Sequence, residues 1–498
     1  MRRTLQVLNG LGPQESVSVY EFPYDHPYFG QIFLAGLLSL TGYPQSLRPS
    51  LDSAEKSIPM LYEIPRLVMG ILAIIDTLLL FKIADIRYGR RVAFISSTLF
   101  AVMPVTWFLR MILLENIMLP FLLSSVLLLV YISNSKSGYP NTGIHNTKRR
   151  NIIIVLISGM LFGLACFTKE SAVTLMPLLI YLAFTGSPFD QSGLKRARTV
   201  AIWLIPVVII SLIWPIYAVA VNQFDNWLTG VLYQAGRDEK GMQTALSSLF
   251  EIDPVFAILS GAAVILNIVD VIVFKRRDLL LIFWCLPYFL FLLFVGGAVK
   301  YFHFIILLPV LSIHIAILLI FISKSIRLRK LTVSPFVILG AVAFIGLIST
   351  TAMISSNLTS VFFEMYSSIV HTLPYNDDNQ NIVTLVGKHY AREFYWIPKY
   401  VFGQDVEFVV VDPILFPKDA LKTEKVLLLL DKSVVTQIKD KEKQDDYIER
   451  LGVLYHNSTL KNRFNENWTQ SYLASIYPYT SFDSLLGKIG RLDIRSNY

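Results

Sequence analysis

Charged residues and cysteines are scarce in this sequence. Only 16% of its 498 residues are charged, whereas soluble globular proteins average about 25%. The two cysteines, Cys166 and Cys285, both lie inside apolar runs, which argues against a disulfide framework or a cysteine metal site. Arg2 and Arg3 are not followed by the apolar core of a cleavable signal peptide. This composition is not that of a soluble enzyme or a small secreted domain.

Hydrophobic residues, which make up 54% of the chain, are concentrated in long runs. A helix of roughly 17–25 apolar residues is long enough to span a bilayer, and about ten segments reach or approach that length. An eleventh run, Tyr28 to Leu40, is too short and is predicted to lie along the membrane surface. The sequence therefore predicts a polytopic α-helical membrane protein. The predicted spans cover about residues 61–86, 91–109, 114–133, 151–168, 171–186, 201–221, 253–274, 279–297, 303–323 and 333–354.

The net charge of +8 arises from basic residues in alternate short loops, so it is read as a topology signal and not as a sign of nucleic-acid binding. The positive-inside rule places these loops in the cytoplasm and both chain ends outside. The basic residues of this set are Arg87, Arg90, Arg91, Lys136, Lys148, Arg149, Arg150, Lys195, Arg196, Arg198, Lys275, Arg276, Arg277, Lys324, Arg327, Arg329 and Lys330.

The pattern changes from about residue 379, where short β-branched runs alternate with polar, helix-like stretches. This alternation predicts a soluble α/β domain with a partly parallel sheet outside the membrane. No glycine-rich phosphate loop follows the strands, so a supporting or acceptor-binding role is favoured over nucleotide binding. The predicted strands are 382–386, 406–411 and 425–430, and the predicted helices are 390–401 and 433–451. The predicted domains are an outer loop with an amphipathic juxtamembrane helix at 1–60, a transmembrane domain at 61–354 and the soluble domain at 375–498.

The predicted outer loops and helix ends carry a set of polar residues that converge on one membrane face. A site for an amphiphilic lipid phosphate needs cations for the phosphate, a carboxylate for protons or a metal, and apolar grooves for the tail. Any single lysine or arginine at a helix end more often reaches the headgroups without a catalytic role. The mid-span Asp76 is expected to make a structural hydrogen bond. The candidate site residues are Asp25, His26, Arg66, Arg110, Glu115, Lys169, Glu170, Lys300, Tyr301 and His303.

These residues occur in an order that resembles the C-type glycosyltransferases, a superfamily that includes protein O-mannosyltransferases and lipid A aminoarabinose transferases. The resemblance covers about residues 1–325 and rests on six short motifs in sequence. The motifs are Asp25-His-Pro-Tyr-Phe-Gly-Gln-Ile-Phe-Leu-Ala-Gly36 with Gly42, Pro65-Arg-Leu-Val-Met-Gly-Ile-Leu72, Gly89 to Pro104, Arg110-Met-Ile-Leu-Leu-Glu115, Gly163-Leu-Ala-Cys-Phe-Thr-Lys169 and Lys300-Tyr-Phe-His-Phe-Ile-Ile-Leu-Leu-Pro309.

The resemblance implies a polyprenyl- or dolichyl-phosphate-linked sugar as donor, with mannose or another hexose or pentose passing to a hydroxyl of a protein or lipid at the outer face. Asp25 and His26 are then the catalytic candidates, beside the donor phosphate or a divalent cation such as Mg²⁺ or Mn²⁺ that Asp25 would bind. Lys169, Lys300 and His303 are candidate phosphate contacts. The implied partners are the lipid-linked donor, the acceptor and the membrane, with no nucleic acid.

The sequence departs from this family at its start. Family members usually begin with a cytoplasmic segment and a first transmembrane helix, followed by an acidic motif proposed as the base. Leu5 to Gly12 resembles the helix that follows that motif, so an upstream extension of about 40–80 residues with ~20 apolar residues is expected.

Two other functions stay open at this point. A transporter or lipid flippase would need a charged path through the spans and, in many cases, inverted repeats; mid-span charge is almost limited to Asp76, and no such repeat is visible. A non-catalytic membrane scaffold with an outer binding domain would be consistent with the missing acidic motif.

The predicted orientation can be tested by thiol labelling of intact cells with an impermeant reagent. Cysteines introduced by Ser137→Cys and Ser192→Cys should be shielded, and those introduced by Thr229→Cys and Ser433→Cys should react. Labelling at position 192 without labelling at position 229 would reverse the topology.

Overall fold

The computed structural model describes part of the chain, and the helix predicted at 390–401 and residues Asp25, Arg110 and Lys300 lie outside this part. The described residues are 2–14, 24, 26–43, 51–106, 111–135, 144–187, 193–235, 241–274, 279–294, 301–325, 327–328, 331–332, 334–355, 368, 372, 382–386, 408–409, 425–431, 441–464 and 492–496.

The described chain up to residue 355 is almost entirely helical. Short 3₁₀ helices at Glu170–Leu175 and Tyr301–Ile306 precede α7 and α14, and a two-residue hairpin, β1 (Arg327–Leu328) with β2 (Leu331–Thr332), precedes α15. The α-helices are α1 (Arg2–Leu8), α2 (Phe29–Leu40), α3 (Leu51–Tyr88), α4 (Arg90–Val102), α5 (Leu114–Ser135), α6 (Ile144–Thr168), α7 (Met176–Thr185), α8 (Gly193–Ser211), α9 (Ile213–Ala220), α10 (Phe224–Ala235), α11 (Gly241–Ile252), α12 (Pro254–Phe274), α13 (Leu279–Phe294), α14 (Leu308–Ser325) and α15 (Pro335–Ser355).

Four helical segments within the described residues are long and apolar enough to cross a membrane: Met60–Tyr88, Leu114–Asn134, Arg149–Thr168 and Arg196–Ala220. Other apolar helices, α12 and α15 among them, have qualifying stretches shorter than this. Every predicted span contains a helix, and the short run at 28–40 forms α2. The structure is thus a largely helical protein with several apolar helices, and the number of spans stays a prediction.

The predicted span at 201–221 corresponds to the segment Arg196–Ala220, which is interrupted at Leu212 between α8 and α9. Pro215 explains the division: it has no N–H to donate to the carbonyl of Ser211, and its ring opposes a straight helix there. The predicted spans at 171–186 and 303–323 also begin differently, since each opens with a 3₁₀ turn.

Paired serines connect α5 to α6 inside the helical core. The Ser125 hydroxyl lies 2.9 Å from the Ser158 carbonyl oxygen, and the Ser158 hydroxyl lies 3.0 Å from the Ser125 carbonyl oxygen. The Trp203 indole N–H donates to the Ser158 hydroxyl at 3.3 Å, which brings α8 into the same contact. Small polar side chains of this kind hold apolar helices together where the hydrophobic effect between them is weak.

Two glycines four residues apart allow α6 to approach α8 closely. A Cβ atom added at Gly159 would lie 2.3 Å from the carbonyl oxygen of Trp203, and one at Gly163 would lie 3.0 Å from Cβ of Ile210. This is the GxxxG arrangement that lets helix backbones touch in membranes. Lys169 directly follows α6, so this contact helps to position the end of the helix that carries Lys169.

Two buried aspartates have different surroundings. Asp253 caps α12: its carboxylate accepts from the N–H of Phe256 (2.9 Å) and from the N–H of Val105 (3.3 Å). Asp76 in α3 is 1% exposed, and its oxygens accept no hydrogen bond from the described residues. The structural hydrogen bond predicted for Asp76 is therefore not present in the described part of the chain.

The C-terminal region contains a five-stranded sheet in the order β4-β3-β5-β7-β6. The first three strands are parallel, as the alternating pattern predicts, and the last two are antiparallel strands that the pattern did not predict. Among the described residues, a helix at 441–456 overlaps the helix predicted at 433–451 and precedes the sixth strand. The elements are β3 (Ile382–Val386), β4 (Phe408–Val409), β5 (Lys425–Asp431), α16 (Lys441–His456), β6 (Thr459–Phe464) and β7 (Leu492–Ser496).

Arg495 of β7 fastens the end of α16 to the sheet. Its guanidinium donates to the carbonyl oxygens of Tyr455 (3.0 Å) and Ser458 (2.7 Å) and lies 4.3 Å from the centre of the Tyr455 ring. The Tyr455 hydroxyl donates to Asp493 at 2.5 Å. These contacts satisfy carbonyl groups at the helix end that have no partner within the helix.

Replacement of Gly159 by alanine should destabilise the protein, because the new methyl group would collide with the α8 backbone. Forcing extra atoms into a packed interface costs about 1–3 kcal/mol. Thermal unfolding of purified protein in detergent measures the effect. Gly261→Ala is the matched control, since a Cβ at Gly261 of α12 meets nothing within 4 Å. Equal melting temperatures for the two variants would contradict the close packing of α6 on α8.

Candidate active site

The candidate site is a cluster of four ionisable side chains from three parts of the chain. His26 precedes α2, Glu115 lies in the first turn of α5, and Lys169 and Glu170 connect α6 to the following 3₁₀ helix. A carboxylate in the first turn of a helix is stabilised by the helix dipole. The convergence of two helix starts and one helix end therefore creates a polar site at the edge of an apolar bundle.

The end of α6 sets the position of Lys169. The backbone of Lys169 is extended, although its N–H still donates to the Ala165 carbonyl at 3.0 Å as in a helix. The 3₁₀ helix begins at the next residue, Glu170. This change of direction places the Lys169 side chain inside the protein, where it is 6% exposed.

Gly30 allows the first turn of α2 to reach the same place. A Cβ atom at Gly30 would lie 2.5 Å from a methyl carbon of Leu114 at the start of α5 and 3.5 Å from the Thr168 methyl at the end of α6. A larger residue at this position would require the Leu114 side chain to shift. The tight approach brings His26, four residues earlier, to the ends of both helices.

The Lys169 ammonium lies at the centre of the cluster. Its Nζ atom is 3.1 Å from Nε2 and 3.3 Å from Nδ1 of His26, and 3.5 Å from Oε1 of Glu115. Oε1 of Glu170 is 3.9 Å from Nζ and 3.0 Å from Nδ1 of His26. Because a buried charge is costly unless it is paired, these contacts explain how a lysine is tolerated here.

Protonation follows from the same contacts. Burial would raise the pKa of the Glu170 carboxyl, but Lys169 and His26 outweigh this effect and lower the pKa from 4.5 to about 2. The carboxylate is therefore an acceptor at neutral pH, so Nδ1 of His26 carries the proton that bonds to it. With Nδ1 as the donor, Nε2 of a neutral ring would have a free electron pair. The Lys169 ammonium lies almost equally far from both ring nitrogens, so it contacts the ring and is not aligned with that electron pair. Since the pKa of Glu170 is lowered in the fold, its ion pairs stabilise the protein above about pH 4.5, and this contribution is lost as the pH falls toward 2.

Gln14 holds the backbone of His26 in place. Its amide N–H donates to the His26 carbonyl at 2.9 Å, and its amide oxygen accepts from the Trp214 indole N–H at 3.2 Å. The carbonyl only accepts and the indole only donates, so the amide orientation is fixed by its partners. Gln14 is 3% exposed. The amide thus connects the segment after α1, the residue before α2 and the start of α9.

Aromatic side chains pack beside this connection. The Tyr28 ring makes edge contacts with Phe167 (4.9 Å between centroids) and Tyr217 (5.2 Å), and the Tyr24 hydroxyl donates to Gln223 at 2.9 Å. Burial raises the pKa of Tyr24 to about 12, which is consistent with a permanent donor. Sequence reasoning did not identify Gln14 or Trp214, since they are 200 residues apart and carry no motif.

The structure brings together four of the predicted site residues: His26, Glu115, Lys169 and Glu170. Arg66 is exposed on α3, and the backbone carbonyl of His303 accepts from the Tyr288 hydroxyl at 2.5 Å. For Tyr301 only the backbone is described, and Asp25, Arg110 and Lys300 lie outside the described residues. The roles of all these residues remain predictions.

The cluster does not fit the divalent cation that the sequence resemblance implies. Such a cation needs several carboxylate or imidazole ligands around it. No group of three His, Cys, Asp or Glu side chains is arranged to hold a metal ion in the part of the chain that the structure describes. Within the cluster, the Lys169 ammonium lies where the three potential ligands converge. The predicted ligand Asp25 cannot be assigned a place, because it is outside the described residues.

Comparison with known proteins identifies the fold. No protein-family model matches the sequence, and no curated protein matches it. The structure resembles ArnT from Cupriavidus metallidurans in the apo state, with a TM-score of 0.58 and 11% identity over 100% of this chain and 93% of that chain. ArnT bound to undecaprenyl phosphate gives a TM-score of 0.57 and 9% identity over 100% and 92%.

Similarity extends to AglB, an oligosaccharyltransferase from Archaeoglobus fulgidus. Its complex with an inhibitory peptide and a dolichol-phosphate gives a TM-score of 0.50 and 12% identity over 95% of this chain and 70% of that chain. The chain spans 63% of the length of the same organism's oligosaccharyltransferase in the complex with Zn and sulfate. The protein therefore shares its fold with ArnT and AglB, and the ArnT structures match it over nearly their whole length.

Substitution Gln14→Glu tests the connection to His26. A carboxylate at position 14 would face the His26 carbonyl oxygen with no proton to donate. The new carboxyl group must therefore be protonated to replace the hydrogen bond that the Gln14 amide makes. Leaving a buried acceptor without a donor costs about 1–3 kcal/mol. Because the pKa of the new carboxyl is raised in the fold, its melting temperature should approach that of the wild type near pH 4 and fall behind as the pH rises to 8.

Asn9→Asp is the matched control for this experiment. The Asn9 amide also donates to a backbone carbonyl, that of Leu5 at 2.8 Å, but the side chain is half-buried and does not touch His26. Its melting temperature should change little with pH relative to the wild type. A pH-independent melting temperature for Gln14→Glu relative to the wild type would show that the Gln14–His26 contact is not made.

Proposed function

We propose that the chain is a membrane glycosyltransferase that moves a sugar from a polyprenyl- or dolichyl-phosphate donor to a hydroxyl group of a protein or lipid at the outer membrane face. The observation that carries this proposal is the buried Lys169 ammonium, which lies among His26, Glu115 and Glu170 at one end of the apolar helices. The transferred sugar is mannose or another hexose or pentose.

Lys169 is the proposed contact for the donor phosphate. When the sugar leaves, negative charge develops on the phosphate, and a cation held in a site with little water stabilises that charge strongly. The ammonium has three protons, so phosphate oxygens can replace one of its present contacts while the others keep it in position. Arg66, Arg110, Lys300, Tyr301 and His303 are proposed as further contacts to the donor.

His26 is the proposed proton acceptor. Glu170 fixes the ring through Nδ1, which leaves the electron pair of Nε2 for a proton. The acceptor oxygen attacks the anomeric carbon, its proton passes to Nε2, and the bond between that carbon and the phosphate oxygen breaks with its electrons on the phosphate. Asp25 is proposed to act beside His26.

The rival functions require different arrangements. A transporter or flippase needs polar groups along a path through the bilayer. The clustered groups instead pair with one another at the helix ends, and Asp76 lies without a hydrogen-bond partner among the described residues of α3 and its neighbours. A scaffold would not need a buried lysine held between two carboxylates and an imidazole.

Transfer of radiolabelled sugar from a polyprenyl-phosphate donor in proteoliposomes tests the proposal. His26→Ala should lower turnover by about 10²–10⁴-fold, which is the usual contribution of a general base. Lys169→Met, which keeps the apolar stem, should lower it by about 10²–10³-fold. Asp25→Asn is expected to abolish transfer as well.

Matched controls come from exposed residues of α16. His456→Ala and Lys441→Met remove the same groups from a surface helix and should leave transfer near the wild-type rate. Wild-type turnover in both cluster variants would remove His26 and Lys169 from the mechanism. Movement of fluorescent lipid across the bilayer without any sugar transfer would favour a flippase.

A further inference from the structure

We propose that the Lys169 ammonium takes the place of a divalent cation, so that the protein carries its own counter-charge and needs no metal at this cluster. The inference rests on the proposed function for its catalytic meaning, but its structural part can be tested without donor or acceptor. The inference does not follow from the fold alone, because it depends on which side chains this chain carries around Lys169.

The side chains around Lys169 are of the kind that bind metals. One imidazole and two carboxylates surround the Nζ atom, and four of their atoms lie 3.1, 3.3, 3.5 and 3.9 Å from it. An imidazole with carboxylates is a common ligand set for divalent transition metals, whose bonds to nitrogen and oxygen are about 2.0–2.2 Å. The observed distances suit an ammonium ion and are too long for a metal.

Two of the carboxylate oxygens still lack hydrogen bonds. Oε1 of Glu115 and Oε2 of Glu170 are buried and accept no hydrogen bond from the described residues. Buried carboxylate oxygens normally have such partners, so what stabilises Glu115 here is the charge of Lys169 at 3.5 Å. Both oxygens would be available as ligands if the ammonium were removed.

The charges of the cluster also indicate that a cation is required at the position of the Lys169 ammonium. Glu115 is 2% exposed and Lys169 is 5% exposed, so neither charge is well hydrated. Removal of the lysine would leave the buried Glu115 carboxylate without its cation, beside His26 and Glu170, whose side chain is 38% exposed. Such an uncompensated group is strongly destabilising, and binding of a cation would relieve it.

The experiment measures Mn²⁺ binding by electron paramagnetic resonance on the purified full chain. The wild type should show no site that depends on Glu115, and Lys169→Ala should gain one Mn²⁺ site per chain. The double variant Lys169→Ala with Glu115→Gln should bind that Mn²⁺ at least tenfold more weakly. Lys169→Ser provides a second variant if the alanine variant does not fold, and Lys441→Ala controls for the loss of a surface lysine.

Two results would overturn the proposal. One is a wild-type Mn²⁺ site that Glu115→Gln removes, because a metal and Lys169 would then share the cluster. The other is failure of both folded Lys169 variants to bind Mn²⁺. These measurements use no sugar donor, so their outcome does not depend on the transfer assay: the protein could transfer sugar and still show a result that contradicts this proposal. In the transfer assay, the proposal predicts that the wild type remains active in excess EDTA, which removes divalent cations.

Discussion

The candidate site depends on the pairing of one buried charge. The Lys169 ammonium cannot remain in an apolar interior unless carboxylates and other acceptors surround it. Glu115, Glu170 and His26 meet this requirement, and each belongs to a different helix start or helix end. The ion pairs therefore fix where α2, α5 and α6 meet, and the meeting point is the polar site. Separation of α5 from the end of α6 would break the ion pair between Glu115 and Lys169.

Close packing brings the helices near enough for this pairing. Gly159 and Gly163 let α6 lie against the backbone of α8, and Gly30 lets α2 pass between the ends of α5 and α6. Gln14 adds a polar connection from the N-terminal segment to α9 across His26. The amide holds the backbone of His26, and Glu170 bonds its imidazole. In this way the apolar part of the molecule places His26, Glu115 and Glu170 within about 4 Å of the Lys169 ammonium, the limit for an ion pair.

Sequence reasoning predicted the helical class, the short helix at 28–40 and the parallel strands, because each leaves a local pattern, and the four residues of the cluster were among its ten site candidates. Hydrophobic runs mark helices, β-branched runs mark strands, and the motif order pointed to His26, Glu115 and Lys169. It did not predict the break at Leu212, where Pro215 was passed over inside an apolar run, or the strands β6 and β7, whose polar residues do not form an apolar run. The Gln14–Trp214 pair and the Asp253 cap depend on contacts between distant residues, which a single sequence does not reveal.

The most direct measurement of the central claim is a cryo-electron microscopy structure of the full chain in lipid nanodiscs with a polyprenyl phosphate. The account predicts that a phosphate oxygen lies within about 4 Å of Lys169 Nζ, with His26 still bonded to Glu170 and with no metal density between Lys169 and Glu115. A phosphate bound elsewhere, with the four side chains closed on one another as they are in the free protein, would contradict it.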